Sequence, residues 1–144
     1  MKCISLWQPW ATLMVVGAKC NETRSWRTNY RGPLGIHAAK YFPRENQELC
    51  YEEPFQSALD KAGFFTPFVL PLGALIGQVE IVDCVPTLWC NMEMLDRAPW
   101  LIVTETELSF GDYSPGRFAW VTSLPVQFAL PIPYKGHQGF FEVA

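Results

Sequence analysis

Long apolar runs, paired cysteines, histidine and charge are all scarce in this chain, and each scarcity excludes something. No run of about 18 uncharged apolar residues occurs, and the opening MKCISLWQPW lacks an extended apolar stretch followed by a small-residue cleavage site. The expectation is a soluble, unprocessed, cytoplasmic protein without a membrane partner. The five cysteines are an odd number with no C-x-x-C spacing, which argues against a disulfide framework or zinc knuckle and for reduced, packed thiols. Two histidines, His37 and His137, lie far apart and make no recognisable ligand set, so no metal is expected. The H-x-E with P-C-x-x-C pairing of zinc deaminases is missing, as are a Walker-type phosphate loop and a G-x-S-x-G elbow. No cofactor is expected.

What is present describes a globular chain. Hydrophobic residues make up 49% and charged residues 17%, a balance incompatible with disorder, and 144 residues suit a single domain spanning 1–144. The net charge of −3 hides a segregation of signs. Between Gly17 and Lys40 stand Lys19, Arg24, Arg27, Arg31 and Lys40 against Glu22 alone, a basic segment on an acidic body. Such a patch attracts phosphate locally, and it suits a short strand or a nucleotide better than a long duplex.

Ile4 to Leu6 reads as an opening strand and Pro9 to Val16 as a short helix, with proline at its first position, Gly17 at its end, and Trp10, Leu13 and Met14 on one face. Cys20 to Trp26 alternates as a strand, with Glu22, Arg24 and Trp26 on one side. A second strand, expected to be central, follows the Tyr30–Pro33 turn. Residues 44–62 are helix-rich, interrupted by Pro54, and read as an acidic surface excursion. A long strand is expected from Leu75 to Val85 with a bulge at Gly77, then an ambiguous stretch over 91–110 containing a short helix. The chain closes with strands at Phe118–Val121 and Val126–Leu130. The many prolines and glycines punctuate short strands, the pattern of a β-barrel with attached helices.

At the helix-to-strand corner the spacing GAKCNETRSW stands out, preceded by SLWQPWA and followed by YRG and IHA. Taken alone, Lys19, Glu22 and Arg24 fit a solvated ion-pair cluster, worth about 0–1 kcal/mol per exposed pair. Together with its flanks the pattern resembles the ASCH domain of the PUA-like superfamily, whose signature G-x-K-x-x-E-x-R is matched at Gly17, Lys19, Glu22 and Arg24. GALIGQVEIVDC, FGDYSPGRFAW and PIPYKGHQGFF resemble later elements of longer members. The resemblance implies an α+β fold, a small mixed β pseudo-barrel with short helices at its edge and a cleft between the first helix and the barrel. It also implies binding of single-stranded RNA or a modified nucleoside or nucleotide.

Other members resemble metal-independent hydrolases acting on an acylated cytidine amide or on RNA. Relative to the deacetylating hydrolase this chain departs at Glu22, where that enzyme has threonine and uses a separate glutamate. Glu105 or Glu107 is then the candidate second acid. A lysine acting as base must be neutral, whereas one beside a carboxylate is better suited to gripping phosphate or steadying an oxyanion. Lys19, Glu22 and Arg24 are accordingly the candidate catalytic residues, with the electrostatic role favoured for Lys19.

Trp7 or Trp10 offers a stacking platform, as does Tyr30, although packing explains any one of them. Arg31, Arg117 and Lys135 are candidate phosphate contacts, and each also suits an ordinary solvated cation. His37 fits a hydrogen-bonded structural role and His137 a loop. Three readings stay open: a nucleotide- or RNA-binding module, a metal-independent amidohydrolase or ribonuclease, and a protein-interaction domain with a vestigial cleft. Open too are the protein partners, and whether residues 44–63 cover the cleft.

Overall fold

The computed structural model describes residues 1–90, 101 and 103–144. Strands β1 (Lys2–Leu6), β2 (Asn21–Arg24), β3 (Gly32–Ala38), β4 (Ala74–Pro86), β5 (Phe118–Pro133) and β6 (Phe141–Glu142) form one sheet in the order β2-β5-β4-β3-β1-β6. Helices α1 (Trp10–Val15), α2 (Arg44–Leu49), α3 (Phe55–Lys61) and α4 (Glu105–Ser109) are all short. The β1–β3 pair is parallel and every other pair antiparallel, so the sheet is mixed and β3 is internal to it, as expected. The expected bulge is there too: pairing of β4 with β5 shifts between Leu75 and Gly77.

The sheet is open along its hydrogen-bond ladder, yet it curls. In a flat sheet β2 and β1, four neighbours apart, would stand roughly 19 Å from each other. Instead the Arg24 guanidinium of β2 donates through Nη2 to the Ser5 carbonyl of β1 at 3.1 Å. This single side chain joins the two sides of the pseudo-barrel, and the cleft opens beside it.

Helix α1 departs from the one-faced reading. Ala11, Thr12, Leu13, Met14 and Val15 are all buried. Met14 and Val15 meet the sheet core around Ile36, Ile76 and Trp120, while Leu13 faces a second cluster with Phe55, Leu59 and Phe110. Six residues span only about 9 Å of helix and cannot stand alone, so burial on two sides is what holds them. Pro9 sits at the N-cap rather than the first helical position. The Thr12 N–H donates to Gln8 Oε1 at 3.0 Å, and the Gln8 side-chain Nε2 donates to Pro71 O at 2.9 Å.

The segment read as a surface excursion supplies that second cluster. Pro54 divides it, and α3 begins immediately after. Its apolar residues Cys50, Phe55 and Leu59 are buried, while Glu45, Glu48, Glu52 and Glu53 carry the acidic charge on the exposed side. An acidic sequence masked an amphipathic one. The strands expected at Phe118–Val121 and Val126–Leu130 are one continuous β5, with Gln78 opposite Val126 and Glu80 opposite Ser123. Between them Leu124 and Pro125 stand against Val79 alone, one extra residue that forms a bulge, with Leu124 at φ 50° and the proline at a position that suits its missing N–H. Within 91–110, the expected short helix is α4; residues 91–100 and 102 lie outside the described residues.

Candidate functional site

The site starts from the way α1 ends. Gly17 adopts φ 81°, and its N–H bonds Met14 O at 3.2 Å, after which the Lys19 N–H bonds Leu13 O at 2.9 Å. This left-handed turn satisfies the last helical carbonyls and aims residue 19 inward. The motif glycine and the motif lysine are thus one structural device.

The Lys19 side chain is only 1% exposed, an unusual position for a long cation. Its Nζ donates to the Asn21 carbonyl and lies 3.4 Å from Glu22 Oε1. Glu22 uses its other oxygen, Oε2, to accept from Arg24 Nε at 3.0 Å. Strand alternation in β2 turns Glu22 and Arg24 toward the cleft and buries Asn21 and Thr23, with Thr23 still bordering the cleft. Arg24 then reaches Ser5 O, with its guanidinium carbon 5.9 Å from the centre of the Trp120 ring.

Behind this row stands Glu107. Its carboxylate accepts the backbone N–H of Asn21 at 2.8 Å and that of Cys20 at 2.9 Å. Thr104 caps α4 by accepting from the Glu107 N–H at 3.1 Å. The spacing is that of a capping box, but the glutamate turns away from its own helix to hold the signature loop. Burial pushes the Glu107 carboxyl above its ordinary value, opposed by the Cys20 and Asn21 N–H groups and by Lys19. Burial likewise raises the Cys20 thiol, with Glu107 adding to it. Of the two acids considered from sequence, Glu107 supports the motif from behind and does not line the cleft. Glu105 is exposed on α4 and does not line it either.

The cleft in front has a volume of about 590 Å³. It brings together six of the sequence candidates: Lys19, Glu22, Arg24, Trp7, Trp10 and Arg117. Trp7 is 48% exposed and touches Tyr41 edge-on, with ring centroids 5.7 Å apart. Trp10 packs edge-on against Phe55 at 6.2 Å and forms wall rather than platform. Arg117 donates from Nη2 to Thr23 O at 3.2 Å and from Nε to Asp112 O at 3.1 Å. Ser5 and Asp112 also line the cleft and were missed; Asp112 lies in FGDYSPG, whose Asp-x-Ser spacing signals a turn that could carry such a residue. The Ser114 hydroxyl and N–H, with Arg117, hold the Asp112 carboxyl below the usual carboxylate range.

Three candidates lie elsewhere. The chain after Arg24 turns around Trp26, whose ring is 4.7 Å from that of Trp120 and 5.4 Å from that of Phe140, and this carries Tyr30 and Arg31 away from the cleft. The Tyr30 hydroxyl donates to Pro33 O, and its ring meets Phe140. Arg31 pairs with Asp83 at 3.5 Å. Lys135 lines a neighbouring groove instead, together with His37 and His137. His37 bonds the Ser5 hydroxyl at 2.6 Å and Tyr134 O at 2.7 Å, the structural role expected of it. None of residues 44–63 lines the cleft, since α2 and α3 back α1 from the other side. Among the described residues no three His, Cys, Asp or Glu side chains are grouped to hold a metal ion, and no helix is long and apolar enough to cross a membrane.

Known proteins agree with this architecture. The human protein named Activating signal cointegrator 1 is 32% identical over 137 residues, covering 94% of this chain and 21% of that protein. Its mouse counterpart is 30% identical over 135 residues, with the same shares. The chain thus spans about a fifth of the length of these relatives. The crystal structure of ASCH from Zymomonas mobilis superposes with a TM-score of 0.54 at 16% identity, over 99% of this chain and 87% of that one. A point mutant of the same bacterial protein gives 0.55 at 17%, over 99% and 89%. At that identity the likeness concerns the fold alone. The model of the family described as "ASCH domain" matches residues 4–131, most of the sequence, and the chain belongs to that family.

Proposed function

We propose that the cleft binds single-stranded RNA or a modified nucleotide, gripping phosphate with Arg24 and Arg117 and stacking a base on Trp7. The observation that carries this reading is the state of the two arginines. Each is fixed by a backbone carbonyl, Ser5 O for Arg24 and Thr23 O for Arg117, and each lines the same cleft with its side chain about one quarter exposed, 25% and 27%. A guanidinium has five N–H donors, and among the described residues each of these spends only its Nε and one Nη2 donor, so three remain. Guanidinium groups held in place with donors to spare suit phosphate oxygens. A half-exposed indole beside them suits a base.

The hydrolytic alternative finds less support. Lys19 is committed to Asn21 O and Glu22, Glu22 to Lys19 and Arg24, and Asp112 is a weakened base. Among the described residues no group lining the cleft is left poised to take a proton. The relatives named as signal cointegrators carry this domain in about a fifth of their length, an arrangement that suits a ligand-binding module within a larger protein.

Binding of a short fluorescent RNA at low salt tests the reading, with Arg117→Ala and Trp7→Ala as variants and urea unfolding to verify that both fold. Weaker binding in both, falling further as salt rises, is expected. Wild-type protein that binds no RNA at low salt, or binding indifferent to both variants, would refute it.

A further inference from the structure

We propose that the groove next to the cleft is a second nucleotide subsite, so that the ligand is a single-stranded oligonucleotide crossing the Trp7–Tyr41 pair and not a lone nucleotide. The inference rests on the reading of the cleft given above and extends it. The parallel pairing of β1 with β3 sets Leu6 beside Ala38, so the chain leaves both strands at the same end and side by side. Trp7 emerges from one strand into the cleft, and Lys40 and Tyr41 emerge from the other into the groove. The two rings touch edge-on, and Ser5 lines both hollows. One continuous surface therefore runs from Arg24 to Lys40.

The groove has the right size and the right charge. Its volume, about 620 Å³, is close to that of the cleft and within the range of small-ligand pockets. Its walls include Lys40, Lys135 and His137 but no carboxylate among the described residues. On a chain of net charge −3, where Lys2, Lys19, Arg24, Arg31, Arg44 and Arg117 all have a carboxylate within 4.0 Å, Lys40 and Lys135 have none among the described residues, as is also true of Arg27 and Lys61, which lie outside this groove. Tyr41, 66% exposed, and Tyr134 add aromatic surface.

The loop carrying Lys135 is also built rather than loose. Its Tyr134 carbonyl is bonded to the buried His37 ring at 2.7 Å, and that ring bonds Ser5 at 2.6 Å. Gly136 lies so close that a Cβ there would stand 2.4 Å from Ser5 Oγ and 2.6 Å from His37 Cε1. Only glycine lets the loop seat against this pair. Two ammonium groups with no carboxylate partner among the described residues, one of them on an anchored loop, beside aromatic rings and in line with the cleft, match a phosphodiester chain better than an acidic peptide, whose carboxylates give nothing for the rings to stack on.

Comparing adenosine 5′-monophosphate with a tetraadenylate on the intact chain tests this. Tetraadenylate should bind about tenfold tighter or more, the factor that one extra stacked base supplies. Lys40→Ala combined with Lys135→Ala, both exposed positions, should abolish that gain and leave the monophosphate affinity unchanged. The salt slope for tetraadenylate should shrink by about 1.4, at about 0.7 per lost phosphate contact. Monophosphate binding without any gain for tetraadenylate would overturn the second subsite while leaving the cleft reading in place. A gain that survives in the double variant would overturn it as well, and equal competition by tetraglutamate would assign the groove to an acidic peptide instead. Failure of both nucleotides to bind would overturn both proposals.

Discussion

The carboxylate of Glu107 accepts the backbone N–H of Asn21 at 2.8 Å, joining residues 86 positions apart in sequence. Through this bond and its companion to the Cys20 N–H, α4 holds the loop that presents Lys19, Glu22 and Arg24. The signature is therefore a shape maintained from outside itself, and its upkeep can be measured separately from binding.

Glu107→Ala leaves two N–H groups without their acceptor. At about 1–3 kcal/mol for each unsatisfied group, a loss of about 3 kcal/mol is expected in urea unfolding, with Glu107→Gln milder because one amide oxygen can serve both donors. The pH dependence has a definite sign. Burial raises the folded-state value of Glu107 above its ordinary 4.5, so the native carboxyl holds its proton more tightly than the unfolded one. Its contribution to stability is fully present below 4.5 and declines as pH rises through the folded value. Glu107→Gln should flatten that decline; an unchanged profile would contradict the assignment.

Lys19 acts here as an internal tie. Lys19→Met keeps most of the buried volume but removes the donor to Asn21 O and Glu22, and a cost of about 2–4 kcal/mol is expected, toward the lower side for a buried pair because Arg24 still partners Glu22. RNA affinity measured where the variant is fully folded should fall less than in Arg117→Ala. The opposite ranking would make Lys19 a direct ligand contact.

The two tryptophans should separate cleanly. Trp7, half exposed, is expected to lower RNA affinity about tenfold or more on change to alanine, with little effect on unfolding. Trp10 braces α1 against Phe55, so Trp10→Ala should destabilise by about 3 kcal/mol. Parallel unfolding and binding titrations check both.

What the sequence revealed of this site was its local part. The Gly17 turn, the alternation of Glu22 and Arg24, the break at Pro54 and the bulge at Gly77 all follow from single-residue stereochemistry and short periods. Glu107 was a candidate acid, but no periodicity reports that its carboxylate crosses 86 positions to bond a backbone. Tyr30 and Arg31 belong to a turn whose course short periods do not specify; Trp26 packs edge-on against Trp120 just before it, and neither residue lines the cleft. Lys135 came close: it belongs to the groove next door, a distinction of tertiary distance that its glycine-flanked loop does not encode.

The most direct test of the cleft is amide chemical-shift mapping of the intact chain titrated with a short single-stranded RNA at low salt. Perturbations are expected to centre on Ser5 to Trp7, Thr23 to Arg24 and Gly111 to Asp112, the backbone that frames Arg24 and Arg117. Perturbations centred instead on the hollow lined by Val16, Ala18 and Lys61 behind α1, or none at saturating RNA, would contradict it.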